Sequence, residues 1–312
     1  MSLKKIKIIG DQINNAYGRA RKAWEARDPA GYQALAVMQA QKGADSIDLN
    51  IDGTQKVSVR VEEMMAFLPI VVPAIQAATD VPICFDNPGL EYHRVGLKAL
   101  DRSKCKGKPI LNSLAASRTH LPEMIALVRD YDMRCVIMAS EKFLPEGGGA
   151  QCFNPRESYE TVLHFVDLLV TQGKRTIDDI IVDPGLAPVG ADTYGLVNIG
   201  LDTMRLVTAD PHLKGIHFSV GLTNFAWGTP KEVRELLERA YLTIGSEVGL
   251  DMALANIERE SQPLPADHPM VGQLRAALAQ GRMVDDETQE TAGFRQAEAI
   301  MGIINDAAPV DE

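Results

Sequence analysis

The apolar run DIIVDPGL, residues 179–186, ends in a carboxylate, Asp183, followed at once by Pro and Gly. The same ending recurs along the chain. Asp11 and Asn14 follow the first apolar run, Asp48 and Asn50 close the second, Asp86 and Asn87 the third, Asn112 the fourth and Asn224 the seventh. Carboxylates accept hydrogen bonds and amides both accept and donate, while Lys, Arg and His are almost absent from these places. If the runs end on one face, these side chains build a pocket for a neutral ligand rich in N–H groups. A phosphate site would instead favour Gly-rich backbone and basic side chains. At any single position a turn or a helix cap explains Asp or Asn equally well, because these short side chains bond nearby backbone groups. Recurrence over so many runs is what favours a pocket.

Other chemistries have less support. EGGGAQ, residues 146–151, carries glycines but neither the GxxxxGK[ST] nor the GxGxxG spacing, and reads as a mobile loop over the pocket mouth. There is no GxSxG elbow for a nucleophilic serine. Cys84, Cys105, Cys135 and Cys152 are far apart, with no CxxC or HExxH, so no protein-bound metal is expected. Cys84 and Cys135 lie inside apolar runs and read as reduced core thiols. The six histidines are dispersed and none stands in a motif that makes it a base.

The elements that must position these residues follow from hydrophobic periodicity. Short Ile- and Val-rich runs read as strands buried on both faces: KIKIIGD from Lys5, DSIDLN from Asp45, VPICFDN from Val81, KPILNS from Lys108, RCVIMAS from Arg134, DIIVDPG from Asp179 and GIHFSVGLTN from Gly215. GLDMALAN, residues 249–256, supplies an eighth strand or the start of a helix. Helical periodicity fills 29–43, 60–79, 89–101, 119–131, 157–173 and 229–248. The last of these has a start signal in TPKE, where Thr229 caps, Pro230 enters the first turn and Glu232 completes a capping box. Repeated β-then-α order predicts an α/β fold, a (β/α)8 TIM barrel, in which all strand ends open on the active-site face. No linker, charge block or repeat divides residues 1–312, so a single domain is expected. Residues 265–312 read as a C-terminal helical extension of that domain, and the closing NDAAPVDE should fray.

With 46% hydrophobic and 24% charged residues, the 312-residue chain can bury a sizeable core. A formal net charge of -10 without a basic stripe disfavours nucleic acid. The longest apolar stretches read as strand-length and the start of the chain is too short in its apolar part for a signal peptide, so no membrane association and a cytoplasmic location are expected.

A pterin suits such a ring of acceptors. Its 2-amino-4-oxopyrimidine edge presents an N–H and an NH2 side by side, which one carboxylate, Asp183, can accept as a bidentate pair. Asn112 offers a donor and an acceptor to the N1 and N8 side, and Asp86 accepts from N8–H. At this point the motifs IIGDQIN, DLN, CFDNPG, LNS, VDPG and VGLTN, in this order over residues 8–224, resemble the pterin-binding methyltransferases that move a methyl group between tetrahydrofolate and a corrinoid; GLDMALAN extends the likeness to about residue 256.

The resemblance implies a homodimeric eight-stranded β/α barrel that binds pterin through Asp86, Asn112 and Asp183. It implies that Asn224 bonds N5, the atom that exchanges the methyl group, and that a separate corrinoid protein docks over the mouth. Asp48 and Asn50 would shape the floor near Asn224, with Asp11, Asn14, Gly221 and Trp227 in supporting places. Asp11 stands where the family pattern has Glu, which shortens its reach. Trp227 fits a contact to the pterin tail or the corrinoid partner, and equally a core or rim aromatic. The length of the chain points toward members serving methyl-group catabolism, such as demethylation of aryl ethers, betaines or methyl halides. Rival readings are a dihydropteroate synthase, whose resemblance would call for a basic SxR-type motif where this chain has SVGLTN, and a non-catalytic pterin- or corrinoid-protein-binding subunit. The chain has no corrinoid-binding DxHxxG, in keeping with a corrinoid carried elsewhere.

Overall fold

A computed structural model describes residues 5–307. Eight parallel strands form a barrel: β1 (Lys7–Asn14), β2 (Ser46–Asn50), β3 (Ile83–Asp86), β4 (Ile110–Leu114), β5 (Arg134–Met138), β8 (Ile180–Asp183), β9 (His217–Phe218) and β10 (Met252–Ala255). The hydrogen-bonded order runs β10-β1-β2-β3-β4-β5-β8-β9. Closure comes from the extension of β9, where Leu254 N–H donates to the Val220 carbonyl at 2.9 Å and Gly221 bridges to Leu254. The eighth run is therefore a strand. The barrel fold with surrounding helices matches the expectation from the repeated β-then-α order.

Helices α2 (Pro29–Gln41), α3 (Val61–Ala78), α4 (Leu90–Ala99), α5 (Leu121–Asp130), α6 (Pro155–Thr171) and α9 (Lys231–Ser246) fall within or close to the expected ranges. Three further helices went unrecognised in the sequence: α1 (Gly18–Glu25), α7 (Leu196–Ala209) and the single turn α8 (Leu222–Phe225), whose residues were read as the end of the seventh strand run. The stretch from Met64 to Ala78 is uncharged, longer than a strand, and corrects the expectation of strand-length apolar runs only. It belongs to α3, which is long and apolar enough to cross a membrane but buries Met64, Phe67, Leu68, Val71, Val72 and Ile75 against the rest of the protein.

Three local expectations are corrected. TPKE makes no capping box: α9 starts after Pro230 without a side-chain cap, and the Thr229 hydroxyl instead donates to the Ala226 carbonyl at 2.6 Å. EGGGAQ is the turn and second strand of an antiparallel hairpin, β6 (Glu141–Phe143) and β7 (Gly149–Gln151), with Gly147 and Gly148 taking the positive φ values that its tip requires. Of NDAAPVDE, residues 305–307 continue the last helix and the rest lies outside the described residues. The C-terminal extension consists of α10 (Pro269–Gln280) and α11 (Gln289–Ala307), which pack on each other and on α9.

Two apolar layers hold the barrel. The larger lies between strands and helices. The smaller fills the interior with Ile9, Cys84, Ile110, Val136, Ile181 and Met252. Side chains alternate in and out along a strand, so residues two positions beyond these also face inward. One step above Cys84, Ile110, Val136 and Ile181 come Asp86, Asn112, Met138 and Asp183. The apolar plug thus becomes, over a single rung, a polar floor.

Candidate active site at the barrel mouth

A cavity of about 430 Å3 opens at the C-terminal ends of the strands, and Asp86, Asn112, Asp183, Gly221 and Asn224 all line it. Asp86 and Asn112 are direct partners across β3 and β4, and Met138 pairs with Asp183 across β5 and β8. Asn224 reaches the cavity from α8 (Leu222–Phe225), a single turn placed at the end of the β9 extension. Polar groups thus converge from four separate elements of the chain, and Met138, Leu186, Leu196 and Ile199 supply apolar walls. A flat heterocycle with a hydrogen-bonding edge suits such a space.

The Pro and Gly behind Asp183 now have a reason. Pro184 has no N–H to continue the ladder, and Gly185 adopts φ +80°. Its N–H returns to Asp183 Oδ1 at 2.8 Å and fixes the carboxylate toward the cavity. A Cβ at Gly185 would stand 2.8 Å from the Ser140 Cβ, so the position admits little else. Gly221 is similarly restricted, since a Cβ there would meet Asn224 Nδ2 at 2.9 Å.

Burial among acids dominates the electrostatics. It raises the Asp183 carboxyl to about 6; the Gly185 N–H opposes this and the Asp86 charge adds to it. Burial also raises Asp86, with Asn50 and Arg118 pulling it back and Asp52 pushing it up. Asn50 Nδ2 donates to Asp86 Oδ2 at 3.0 Å. Asn50 is outside the cavity lining and acts on the floor through this hydrogen bond, which orients Asp86.

Asp48 is one rung deeper than Asn50 and fully buried, beside Cys84 in the register of β2 and β3. Neither of its oxygens has a hydrogen bond of normal geometry, and burial, then Asp86 and Asp11, hold the group well above the usual carboxylate range. It lies under the pocket rather than in its lining. Asp11, despite the short side chain, accepts from Tyr17 Oη at 2.7 Å, Thr223 Oγ1 at 2.9 Å and Gln12 Nε2 at 3.0 Å. Through Thr223 it anchors α8, and hence Asn224. Asn14 forms a turn, accepting from the Ala16 N–H at 2.9 Å. Asn87 does likewise with the Gly89 N–H at 2.8 Å. Trp227 is 75% exposed, which removes the core alternative.

Sequence reasoning missed Tyr17, Thr223, Ser113, Ser140, Gln151, Cys152 and Ser158, of which the last five line the cavity. Ser113 and Thr223 stand inside the motifs LNS and VGLTN and Ser140 closes the run RCVIMAS, but Gln151 and Cys152 arrive at the end of the hairpin and Ser158 on α6, with no local pattern to announce them. Among the described residues no three His, Cys, Asp or Glu side chains gather to hold a metal ion.

The barrel and its acceptor-lined mouth define a class. The family model described as Pterin binding enzyme matches residues 20–256, and the chain belongs to that family. It is 25% identical over 277 residues to the methylcorrinoid:tetrahydrofolate methyltransferase of Eubacterium limosum, covering 87% of this chain and 90% of that protein. Among solved structures it resembles the dihydropteroate synthase of Xanthomonas albilineans with 4-aminobenzoic acid, at TM-score 0.57 and 17% identity over 91% of this chain and 96% of that one. The Yersinia pestis dihydropteroate synthase in a sulfonamide complex is similar at TM-score 0.56 and 13% identity, over 97% and 96%. At such identities these structures show the fold.

Proposed function

We propose that the protein is a methyltransferase that moves a methyl group between a corrinoid protein and N5 of tetrahydrofolate. The observation that carries this reading is Asn224 in one cavity with Asp86, Asn112 and Asp183. With the amidine edge of the pterin on Asp183 and N8 toward Asp86, the opposite edge of the ring, which holds N5, falls to the side where Asn224 stands. The name of the Eubacterium limosum relative supports the same chemistry and favours tetrahydrofolate as acceptor.

Methyl transfer is an in-line displacement: the N5 lone pair forms a bond to the methyl carbon while the cobalt–carbon pair stays with the corrinoid, and N5 then releases its proton. The corrinoid, brought by the partner, supplies the methyl group and accepts that electron pair. The chain supplies position. A rigid pocket that holds the pterin plane and leaves N5 toward the mouth removes much of the orientational cost. Asn224 can donate to or accept from N5, so it serves either the free amine or its protonated form. Docking of the partner over the mouth, a homodimer, a single domain over 1–312 and a cytoplasmic location go with this reading, as does service in catabolic demethylation.

The dihydropteroate synthase reading is weaker, because SVGLTN offers no cation for a departing pyrophosphate. An idle binding subunit would have little use for a group at N5. The test is anaerobic single-turnover absorbance: protein with tetrahydrofolate and methylcobalamin, and in parallel methyltetrahydrofolate with cob(I)alamin. Appearance of cob(I)alamin in the first mixture, or its loss in the second, supports the reaction. Absence of folate binding by calorimetry overturns the pterin reading altogether.

A further inference from the structure

The match to the family model ends at residue 256, yet the chain continues into α10 and α11. Of these, α11 packs back on the segment that joins β8 to α7, directly behind Asp183. The approach leaves no room for a side chain: a Cβ on Gly293 of α11 would stand 2.4 Å from the Thr193 carbonyl oxygen. One turn further along, the Gln296 side chain is fully buried and divides its amide between two residues at the start of α7. Its Nε2 donates to Asp192 Oδ2 at 3.4 Å, and its Oε1 accepts from Asn198 Nδ2 at 3.3 Å. Asp192, itself buried, accepts from the first N–H groups of α7, Leu196 at 2.8 Å and Val197 at 2.9 Å, which no carbonyl of the helix can reach. Asn198 Nδ2 also donates to the Leu278 carbonyl of α10 at 2.8 Å. Both helices of the extension thus hold the start of α7.

The start of α7 is also a wall of the cavity, through Leu196 and Ile199. At Gly200 the same helix lies against the turn that follows Asp183, where a Cβ would stand 3.2 Å from the Gly185 carbonyl oxygen and 3.5 Å from the Pro184 Cβ. Gly185 is the residue whose N–H fixes Asp183 Oδ1 at 2.8 Å. A continuous path of hydrogen bonds and close packing therefore runs from Gln296 through α7 to the carboxylate, the kind of contact chain that carries a displacement between distant groups. We propose that α11 braces the pterin pocket and that Gln296 is its positioning residue, holding α7 against the Asp183 turn so that the carboxylate stays aimed at the ligand. The ligand in this statement rests on the pterin reading above; the mechanical link does not. A Leu in place of Gln296 would fill much the same space. The buried amide adds direction, because both of its bonds form only when α11 sits in one register against α7.

The test reads amide hydrogen exchange of the ligand-free protein together with calorimetric titration by tetrahydrofolate. It compares wild type, Gln296→Leu, Gly293→Ala and a control, Ile304→Ala, which empties a buried position of the same helix more than two turns from Gln296. The first two variants disturb the contact differently, one by removing its bonds and one by forcing α11 away from Thr193, so either is informative if the other fails to fold. Each should speed exchange at Gly185, Leu196 and Val197 by about 10-fold or more and weaken tetrahydrofolate by a similar factor, the scale of one lost hydrogen bond. Ile304→Ala should lower the melting temperature at least as far and leave exchange at those amides and folate affinity within about twofold of wild type. Wild-type exchange in the Gln296 and Gly293 variants, or equal changes in the control, overturns the brace. Faster exchange with unchanged folate affinity makes the extension a support for the fold alone and overturns its role in the pocket. Wild type that binds no tetrahydrofolate removes the pterin reading and the ligand named here, while the exchange rates still decide whether α11 holds the Asp183 turn.

Discussion

Replacing Asp183 by Asn separates what the carboxylate does for the ligand from what it costs the fold. The two side chains have nearly the same shape, but the amide cannot accept two adjacent N–H groups at once. Loss of a charge-assisted pair should weaken tetrahydrofolate by about 1.5–3 kcal/mol, or roughly 10- to 150-fold. The pH dependence is sharper. A carboxyl held at about 6 in the free protein is ionised to roughly one part in eleven at pH 5, so wild-type affinity there should be about tenfold below its plateau above pH 7. Asp183→Asn should lose that step, and any dependence that remains belongs to Asp86, whose carboxyl is also raised.

Stability should move the opposite way. The folded-state value of about 6 lies above the ordinary 3.8, so the unfolded chain loses this proton first. The contribution of Asp183 to stability is therefore fully present below pH about 4 and is lost as pH rises through about 6. A shift of that size corresponds to ~3 kcal/mol, and the face of the carboxylate turned to the open cavity lowers this to about 1–2 kcal/mol. At pH 8 the unliganded Asp183→Asn protein should melt about 2–4 °C above wild type, and at pH 4 the two should coincide. The assays are calorimetric binding between pH 5 and 8 and thermal melts of the ligand-free proteins at pH 4 and 8. Unchanged folate affinity, or a variant less stable than wild type at pH 8, would refute the placement of an ionised Asp183 against the ligand.

Two further substitutions test the other end of the ring. Asn224→Ala should lower single-turnover methyl transfer by about 100-fold or more, the scale seen when a polar group at a reacting atom is removed, with the melting temperature within a few degrees of wild type. Transfer at the wild-type rate would take Asn224 out of the mechanism. Thr223→Val keeps the shape but removes the 2.9 Å bond to Asp11, so it should reduce kcat with KM for folate nearly unchanged and cost about 1 kcal/mol of stability. A rise in KM with kcat intact would instead make the Asp11 cluster part of the folate contact.

The sequence carried the barrel because most strands are short apolar runs with a polar residue at or just past their ends, a pattern that depends only on burial and on the change of environment at the mouth. It carried Asp86, Asn112 and Asp183 for the same reason: each occupies the inward position one rung above an apolar residue, and the alternation of a strand is visible in one dimension. What it could not carry is depth. Asp48 and Asn50 are neighbours in DLN and look equivalent, yet two residues of rise separate a carboxylate sealed under the floor from an amide bonded to Asp86. Register between strands, including the irregularity between Gly10 and Ile13, decides which polar residue reaches the cavity. The hairpin was hidden for another reason, since strands of three residues give no periodicity.

The Asp11 cluster shows why a departure from a family pattern is not a loss of function in itself. A Glu would place its carboxylate one methylene farther toward the mouth. The shorter Asp11 stays back, where Tyr17 Oη, Thr223 Oγ1 and Gln12 Nε2 all donate to it. Three donors offset part of the cost of burying the group, which burial still raises above its ordinary value. The consequence is mechanical: the residue next to Asn224 is tied to β1, so the chain leading into Asn224 is anchored at two points, by the Gly221 bridge to β10 and by Thr223. The end of the first run thus positions the end of the seventh, and a substitution at Tyr17 or Thr223 should be felt at Asn224 before it is felt at Asp183.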